Sequence, residues 1–206
     1  IYNYKTTPLY DTHLNLGGKM VEYAGFKMPV EFSGVISEHL CVREKCGVFD
    51  VSHMGEFLIC GDDAVANLNR IMTNEMSTLN PGKARYTLMC NDNGGIIDDL
   101  LVYCITEGRY LLIVNAANRN KDFNWICDNL KGDCIVNDLS DGLALLAVQG
   151  PESGKLMSKL LTKGNLPEKY YSFNENIEVS GIKLTASYTG YTGERGFELL
   201  CRAHEV

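Results

Sequence analysis

Two adjacent carboxylates, Asp98 and Asp99, interrupt an otherwise apolar run, Ile96-Ile-Asp-Asp-Leu-Leu-Val-Tyr-Cys-Ile105. Aspartate is a poor strand former, so its presence there asks for a reason. Successive strand residues point to opposite faces. Asp98 therefore shares a face with Ile96, Leu100 and Val102, and Asp99 shares one with Ile97, Leu101 and Tyr103. Both faces are apolar and both are expected to be covered, which brings at least one carboxylate close to packed surface. An isolated carboxylate there takes a raised pKa unless partners hold it ionised. The pair reads either as a functional acid or as a half-exposed cap at the end of the preceding turn, and spacing alone leaves both open.

Other residues bring chemistry within reach. Glu198 is a further carboxylate in apolar company, between Phe197 and Leu199. It closes the segment Thr189-Gly-Tyr-Thr-Gly-Glu-Arg-Gly-Phe-Glu198. These glycines form neither Gly-x-Gly-x-x-Gly nor a Walker loop, so nucleotide binding is not expected. They would allow a tight turn and the close approach of a flat ligand beside Tyr191, or a structural loop with an exposed tyrosine. His53 has no second histidine or cysteine at ligand spacing, so it reads as structural and no metal site is expected. Asn115 stands at a strand-to-helix junction, where it could cap the helix or face a ligand.

The aspartates belong to a hairpin. Arg85-Tyr-Thr-Leu-Met-Cys90 is its first strand, Asn91-Asp-Asn-Gly-Gly95 its turn, and Tyr110-Leu-Leu-Ile-Val114 a third strand after it. Short polar residues before paired glycines supply the positive dihedrals of such a turn. Upstream lie a strand over residues 55–60 and a helix over 64–72, capped by Asp62 or Asp63, with Val65, Leu68, Ile71 and Met72 as its apolar stripe. Downstream come a helix through Leu130 and a short strand at 134–136. Residues 53–136 thus read as an inserted α+β lobe with split-βαβ character. Residues 1–52 and 137–206 form a discontinuous first lobe around it. That lobe carries a strand at 20–24, a helix started by Ser33 or Ser37 and stopped by Gly47, and a strand at 143–148. A helix at 152–161 with Leu156, Met157, Leu160 and Leu161 inward follows, then a hairpin turning at Ser180-Gly181.

The chain has 206 residues, 45% hydrophobic and 22% charged, enough for a substantial core. A net charge of −7 without a Lys/Arg run argues against nucleic acid and against an anionic membrane surface. No apolar run is long enough to span a bilayer, and Ile1-Tyr-Asn-Tyr-Lys5 lacks signal-peptide character. The eight cysteines contain no Cys-x-x-Cys pair and are expected to be reduced core thiols.

The ordered motifs carry a resemblance. Thr7-Pro-Leu-Tyr10, Met20-Val-Glu-Tyr-Ala-Gly-Phe-Lys-Met-Pro29, Gly47-Val-Phe-Asp-Val-Ser-His-Met-Gly55 and Gly82-Lys-Ala-Arg-Tyr86 come first. Gly94-Gly-Ile-Ile-Asp-Asp-Leu100, Val114-Asn-Ala-Ala-Asn118, Gln149-Gly-Pro151 and Thr189-Gly-Tyr-Thr-Gly-Glu194 follow. Together they resemble the T proteins of the glycine cleavage system, the tetrahydrofolate-dependent aminomethyltransferases, from about residue 7 onward. The resemblance implies a three-lobed cloverleaf around a folate pocket, of which this chain holds two lobes, built as α+β with mainly antiparallel sheets and flanking helices. It implies that a lipoyl-bearing H protein presents an aminomethyl group, that tetrahydrofolate takes the one-carbon unit, and that ammonia leaves. It makes Asp99 the catalytic carboxylate, with Asp98 pointing away. It places Met54, Tyr86, Asn115, Tyr171 and Tyr191 around the folate, with Tyr170 as the one-residue alternative to Tyr171. Glu198 would receive the guanidine-like N–H edge of the pteridine.

Members of that family continue past the equivalent of Val206, so the chain is read as truncated, with apolar surface left open. Two relatives of the resemblance fit less well. The folate modules of sarcosine and dimethylglycine oxidoreductases follow a flavin domain with Gly-x-Gly-x-x-Gly, which is absent here. The folate-binding iron–sulfur assembly factors carry a lysine–glycine-rich cysteine signature that is absent around Cys201. A folate-binding module without transferase activity and an inactive fragment remain alternatives. The expected setting is bacterial cytoplasm or, alternatively, the mitochondrial matrix.

Overall fold

The computed structural model describes residues 4–206. Residues 1–3, part of the stretch read as lacking signal-peptide character, lie outside it. Residues 5–50 form β1 (Lys5–Thr6), α1 (Tyr10–Asn15), β2 (Met20–Tyr23), β3 (Phe26–Pro29), α2 (Val35–Glu44) and β4 (Gly47–Asp50). Next come β5 (Gly55–Cys60), α3 (Ala64–Ile71), β6 (Lys83–Cys90), β7 (Ile96–Thr106), β8 (Arg109–Val114), α4 (Arg119–Asn129) and β9 (Ile135–Asp138). The chain continues with β10 (Leu143–Gln149), α5 (Ser153–Leu160), β11 (Leu161–Lys163), β12 (Phe173–Val179), β13 (Ile182–Ser187) and β14 (Gly196–Arg202). Among the described residues no helix is long and apolar enough to cross a membrane. The expected α+β class with mainly antiparallel sheets holds. Two compact units emerge, Ile1–His53 with Gly142–Val206, and Met54–Asp141.

The first unit holds a six-stranded sheet in the order β11-β12-β13-β14-β10-β4 and a small sheet β1-β3-β2. Val148, Ile177, Ala186, Phe197 and Leu199 pack with Met157 of α5 to make its core. Leu160, expected inward, lies at the surface instead. The β12–β13 hairpin turns where expected, with Ser180 and Gly181 both at positive φ, which suits the right-handed twist of the strands. The start of α2 departs from expectation. Neither Ser33 nor Ser37 caps it; Glu38 reaches back and accepts from the backbone N–H groups of Phe32, Ser33 and Gly34. One ionised carboxylate satisfies three donors there, which a single hydroxyl cannot do. Gly47 does not end this helix but opens β4, a strand at the sheet edge whose Val48 and Phe49 are exposed.

The second unit is a five-stranded sheet in the order β6-β7-β8-β5-β9. β5 is antiparallel to both β8 and β9. β8 and β9 therefore run parallel on either side of it with α4 as their crossover, a split βαβ arrangement. Phe57, Leu68, Met89, Val102, Leu112 and Ile126 are fully buried in one core. Asp63 does not cap α3 with its side chain; its Oδ2 accepts from the Asp133 N–H instead. All eight cysteines are free, but only Cys104 and Cys201 are buried, whereas Cys41 and Cys127 are exposed.

Candidate functional site

In the second unit the β6–β7 register pairs Tyr86 with Leu101 and Leu88 with Asp99. Tyr86 and Asp99 are therefore diagonal neighbours on one face of the sheet, within reach of a long side chain. The half-exposed Tyr86 hydroxyl donates to Asp99 Oδ2 at 3.1 Å. Asn115 leaves β8 in extended conformation with no capping bond from its side chain. Its Nδ2 faces Asp98 Oδ1 at 3.0 Å, the Asp99 carbonyl at 3.0 Å and Asp99 Oδ1 at 3.5 Å. All three are acceptors, so the amide orientation is settled by chemistry and the Asn115 oxygen must turn away from them. The outcome is a part-buried carboxylate, a phenol and an amide carbonyl gathered at one end of β7. Met54 precedes Gly55, whose partner is Val114, so it emerges beside Asn115.

The two aspartates separate onto the two faces, as alternation requires, but the faces are unequal. Ile97 is extra in the β6–β7 register, a bulge that re-aims the following residues. Lys121 Nζ donates to its carbonyl at 2.6 Å. Asp98 is 5% exposed, so it points away from Asp99 into packed structure. Its Oδ1 accepts from Asn115 and, at 2.9 Å, from Asn118. Burial works to raise its pKa, yet the hydrogen bonds from Asp122, Asn115 and Asn118 prevail and hold it low. Asp122 of α4 is fully buried, and burial together with the neighbouring Asp98 pushes its carboxyl up to about 8. The reading of the pair as a half-exposed turn cap therefore fails for Asp98.

A second buried acid, Glu56 of β5, is also pushed up to about 8 by burial, against the pull of the Arg119 guanidinium. A carboxyl whose folded pKa lies above its unfolded value holds a proton that the unfolded chain has released. Stability is then greatest on the acid side and falls as pH rises from about 4.5 towards 8. Each such proton contributes a slope approaching about 1.4 kcal/mol per pH unit. Glu56→Gln is expected to remove roughly half of the combined Glu56 and Asp122 slope, read as urea midpoints across that window. An unchanged slope would count against a neutral buried Glu56.

In the first unit Glu198 pairs in register with Ala147 and Ser187. The Thr189 hydroxyl donates to Glu198 Oε2, and Ser187 Oγ lies 2.7 Å from that hydroxyl, which orients the carboxylate. Tyr171 sits in the left-handed region with φ 58°, held by its N–H to the Tyr188 carbonyl at 2.9 Å. A non-glycine residue in that region is strained, and such strain clusters at functional sites. Its ring meets Tyr170 edge-on at 4.4 Å, and Tyr170 meets Tyr188 at 5.6 Å, so both neighbours belong to one aromatic group. Tyr191 stands fully exposed. His53 lies edge-on to Tyr23 and Phe26, and burial lowers its pKa.

The glycines around Tyr191 have a more local reason than a flat ligand. Gln149 is fully buried, donates to the carbonyls of Thr189 and Phe197, and accepts from Thr192 Oγ1 at 2.9 Å. A Cβ on Gly190 or Gly196 would run into its amide. Gly196→Ala is expected to destabilise the protein by roughly 1–3 kcal/mol through overpacking, measured by urea unfolding; a neutral result would mean that Gln149 can move aside.

Asn118 and Gln149 lie in the ordered motifs without an assigned role, and Asp122 and Lys121 lie outside them. Asn118 and Asp122 carried a usable signal, since Asn118, Asp122 and Ile126 recur at four-residue spacing on one helix face.

Residues 9–206 match the family profile described as GCVT N-terminal domain. The chain is 46% identical over 202 residues to the aminomethyltransferase of Geobacillus kaustophilus, covering 98% of this chain and 56% of that protein. It is 48% identical over 200 residues to the aminomethyltransferase of Thermotoga maritima, covering 97% and 55%. Among solved structures it is similar to glycine cleavage system aminomethyltransferase T from Bartonella henselae, with a TM-score of 0.88 and 31% identity over 97% of this chain and 54% of that one. Heterotetrameric sarcosine oxidase from Corynebacterium sp. U-96 shares the fold at a TM-score of 0.57 and 14% identity, over 96% and 86%. The chain spans about half the length of the curated relatives it matches.

Proposed function

Because the chain belongs to the aminomethyltransferase family marked by the GCVT N-terminal domain, we propose that it serves tetrahydrofolate-dependent aminomethyl transfer in glycine cleavage. The Tyr86–Asp99–Asn115 cluster carries this reading, because it is a positioned, part-buried carboxylate with hydrogen-bonding neighbours, the kind of group that amine activation calls for. In the proposed reaction a lipoyl-bearing H protein brings an aminomethyl group on sulfur. The methylene carbon gains two bonds to folate nitrogens and loses its bonds to sulfur and to the amine. The two folate N–H protons end on the sulfur and on the departing ammonia. Asp99 sits beside the attacking nitrogen, orients it, accepts its proton and steadies developing positive charge.

Tyr86, fixed by its bond to Asp99, offers a ring edge to the folate, and the outward Asn115 oxygen accepts one of its N–H groups. Met54 supplies apolar contact. Tyr171, Tyr191 and Glu198 enter through the resemblance, with Glu198 taking the N–H edge of the pteridine. The bacterial relatives favour a cytoplasmic setting over a mitochondrial one.

The test is calorimetric titration of the 206-residue chain with 5-formyltetrahydrofolate. Saturable binding is expected, weakened roughly 10- to 100-fold in Glu198→Ala by the loss of charge-assisted hydrogen bonds. No heat from a demonstrably folded chain would overturn folate binding by these residues, and binding indifferent to Glu198 would remove that residue's role.

A further inference from the structure

Neither carboxyl oxygen of the buried Asp122 meets an N–H or hydroxyl donor from any group but the Asp98 carboxyl beside it, and Asp98 Oδ2 has no donor but Asp122. Two acid groups left to each other inside a protein cannot both be ionised, because neither charge would be compensated. One proton between them resolves this, with the O–H of one donating to the other as in a carboxyl dyad. Asp98 is the end that remains charged, since its other oxygen already accepts from Asn115 and Asn118 and a carboxylate is the better acceptor.

We infer that Asp122 is a positioning residue of the proposed site: sharing one proton with Asp98, it holds the Asn115 amide, and so its outward oxygen, beside Asp99. The pair lies behind the cluster, on the opposite face of β7 from the Asp99 carboxylate. Its role in transfer rests on the functional reading above, whereas its existence and its hold on Asn115 do not.

The geometry makes the device reversible. Loss of the shared proton would set two carboxylates against each other, and Asp98 would turn from Asp122 and draw on Asn115 and Asn118. The charged groups acting on Asp122 are Asp98 and Asp99 of β7 and Lys121 of its own helix. On the neighbouring elements Arg70 of α3 is engaged with Asn67, and Asp138 of β9 with Arg119. Burial and Asp98 together keep the Asp122 proton on up to about pH 8.

The experiment is a pH titration of the 206-residue chain with 13C-labelled aspartate carboxyls and 15N-labelled side-chain amides. One carboxyl signal, absent in Asp122→Asn, is expected to titrate near pH 8. The Asn115 amide signals, identified by their loss in Asn115→Ala, should move at the same midpoint. In Asp122→Asn they should stay fixed, because an amide at 122 donates to Asp98 but does not titrate. Glu56→Gln removes another acid of similarly raised pKa that hydrogen-bonds neither Asn115 nor Asp98, and should leave the movement intact. An Asp122 carboxyl titrating in the ordinary acid range, or an Asn115 amide that ignores it, overturns the inference.

Affinity for 5-formyltetrahydrofolate supplies the functional arm. Wild type is expected to weaken about tenfold between pH 7 and 9, as only the protonated fraction stays competent. Asp122→Asn should remove this loss; an equal loss in that variant overturns the positioning role. Coupled titration in a chain that binds no folate at any pH would instead overturn the functional reading and leave the Asp98–Asp122 pair standing.

Discussion

Asp99→Asn is expected to lower aminomethyl transfer by about 10²–10⁴-fold while leaving 5-formyltetrahydrofolate affinity within a few-fold. Asparagine at 99 still offers an oxygen to the Tyr86 hydroxyl, which donates to Asp99 Oδ2 at 3.1 Å. It cannot take a proton or stabilise positive charge as a carboxylate does. The variant thus separates placing the folate from activating it. The measurement is single-turnover transfer from aminomethylated H protein, made in a protein of the relatives' full length, with calorimetry beside it. Transfer at the wild-type rate would show that Asp99 does no chemistry. Loss of both transfer and affinity would move it from the reaction to the binding of the folate.

Phe197→Ala is expected to cost about 3–5 kcal/mol, a large part of the stability of a domain this size. Phe197 is fully buried in the first-unit core, meets the Tyr188 ring at 5.6 Å and lies under the Arg195 guanidinium. Its carbonyl also accepts from Gln149, and its neighbour in sequence is Glu198. Truncation leaves a cavity that paired strands close only in part. Urea unfolding should show the loss, and Val48→Ala on the exposed edge strand should stay within about 0.5 kcal/mol. A cost for Phe197→Ala no larger than that of Val48→Ala would mean that the sheet collapses around the missing ring.

Local chemistry was enough to find the hairpins. Asn91 to Gly95 and Ser180-Gly181 are turns that only a few residue types make easily, and the flanking apolar runs pair with nearby sequence. The strand β4 leaves no such local signal, since its partner β10 lies far along the chain and its Val48 and Phe49 are exposed. Serine and aspartate looked like helix caps because they often are. Glu38 and Asp133 took those roles or partners, the first by offering one charged acceptor to three N–H groups and the second by a contact distant in sequence.

The site divides along the same line. Two carboxylates in an apolar strand, their opposite facing and, through the ordered motifs, the family of the chain are all legible in the residues alone. Which carboxylate stays accessible is set by packing between elements distant in sequence. That choice depends on the bulge at Ile97 and on α4, which brings Asn118 and Asp122 over Asp98. Whether a buried acid is a liability or a tool depends on the partner opposite it. Strand alternation is a property of consecutive residues, but burial and proton sharing are properties of atoms that only folding brings together.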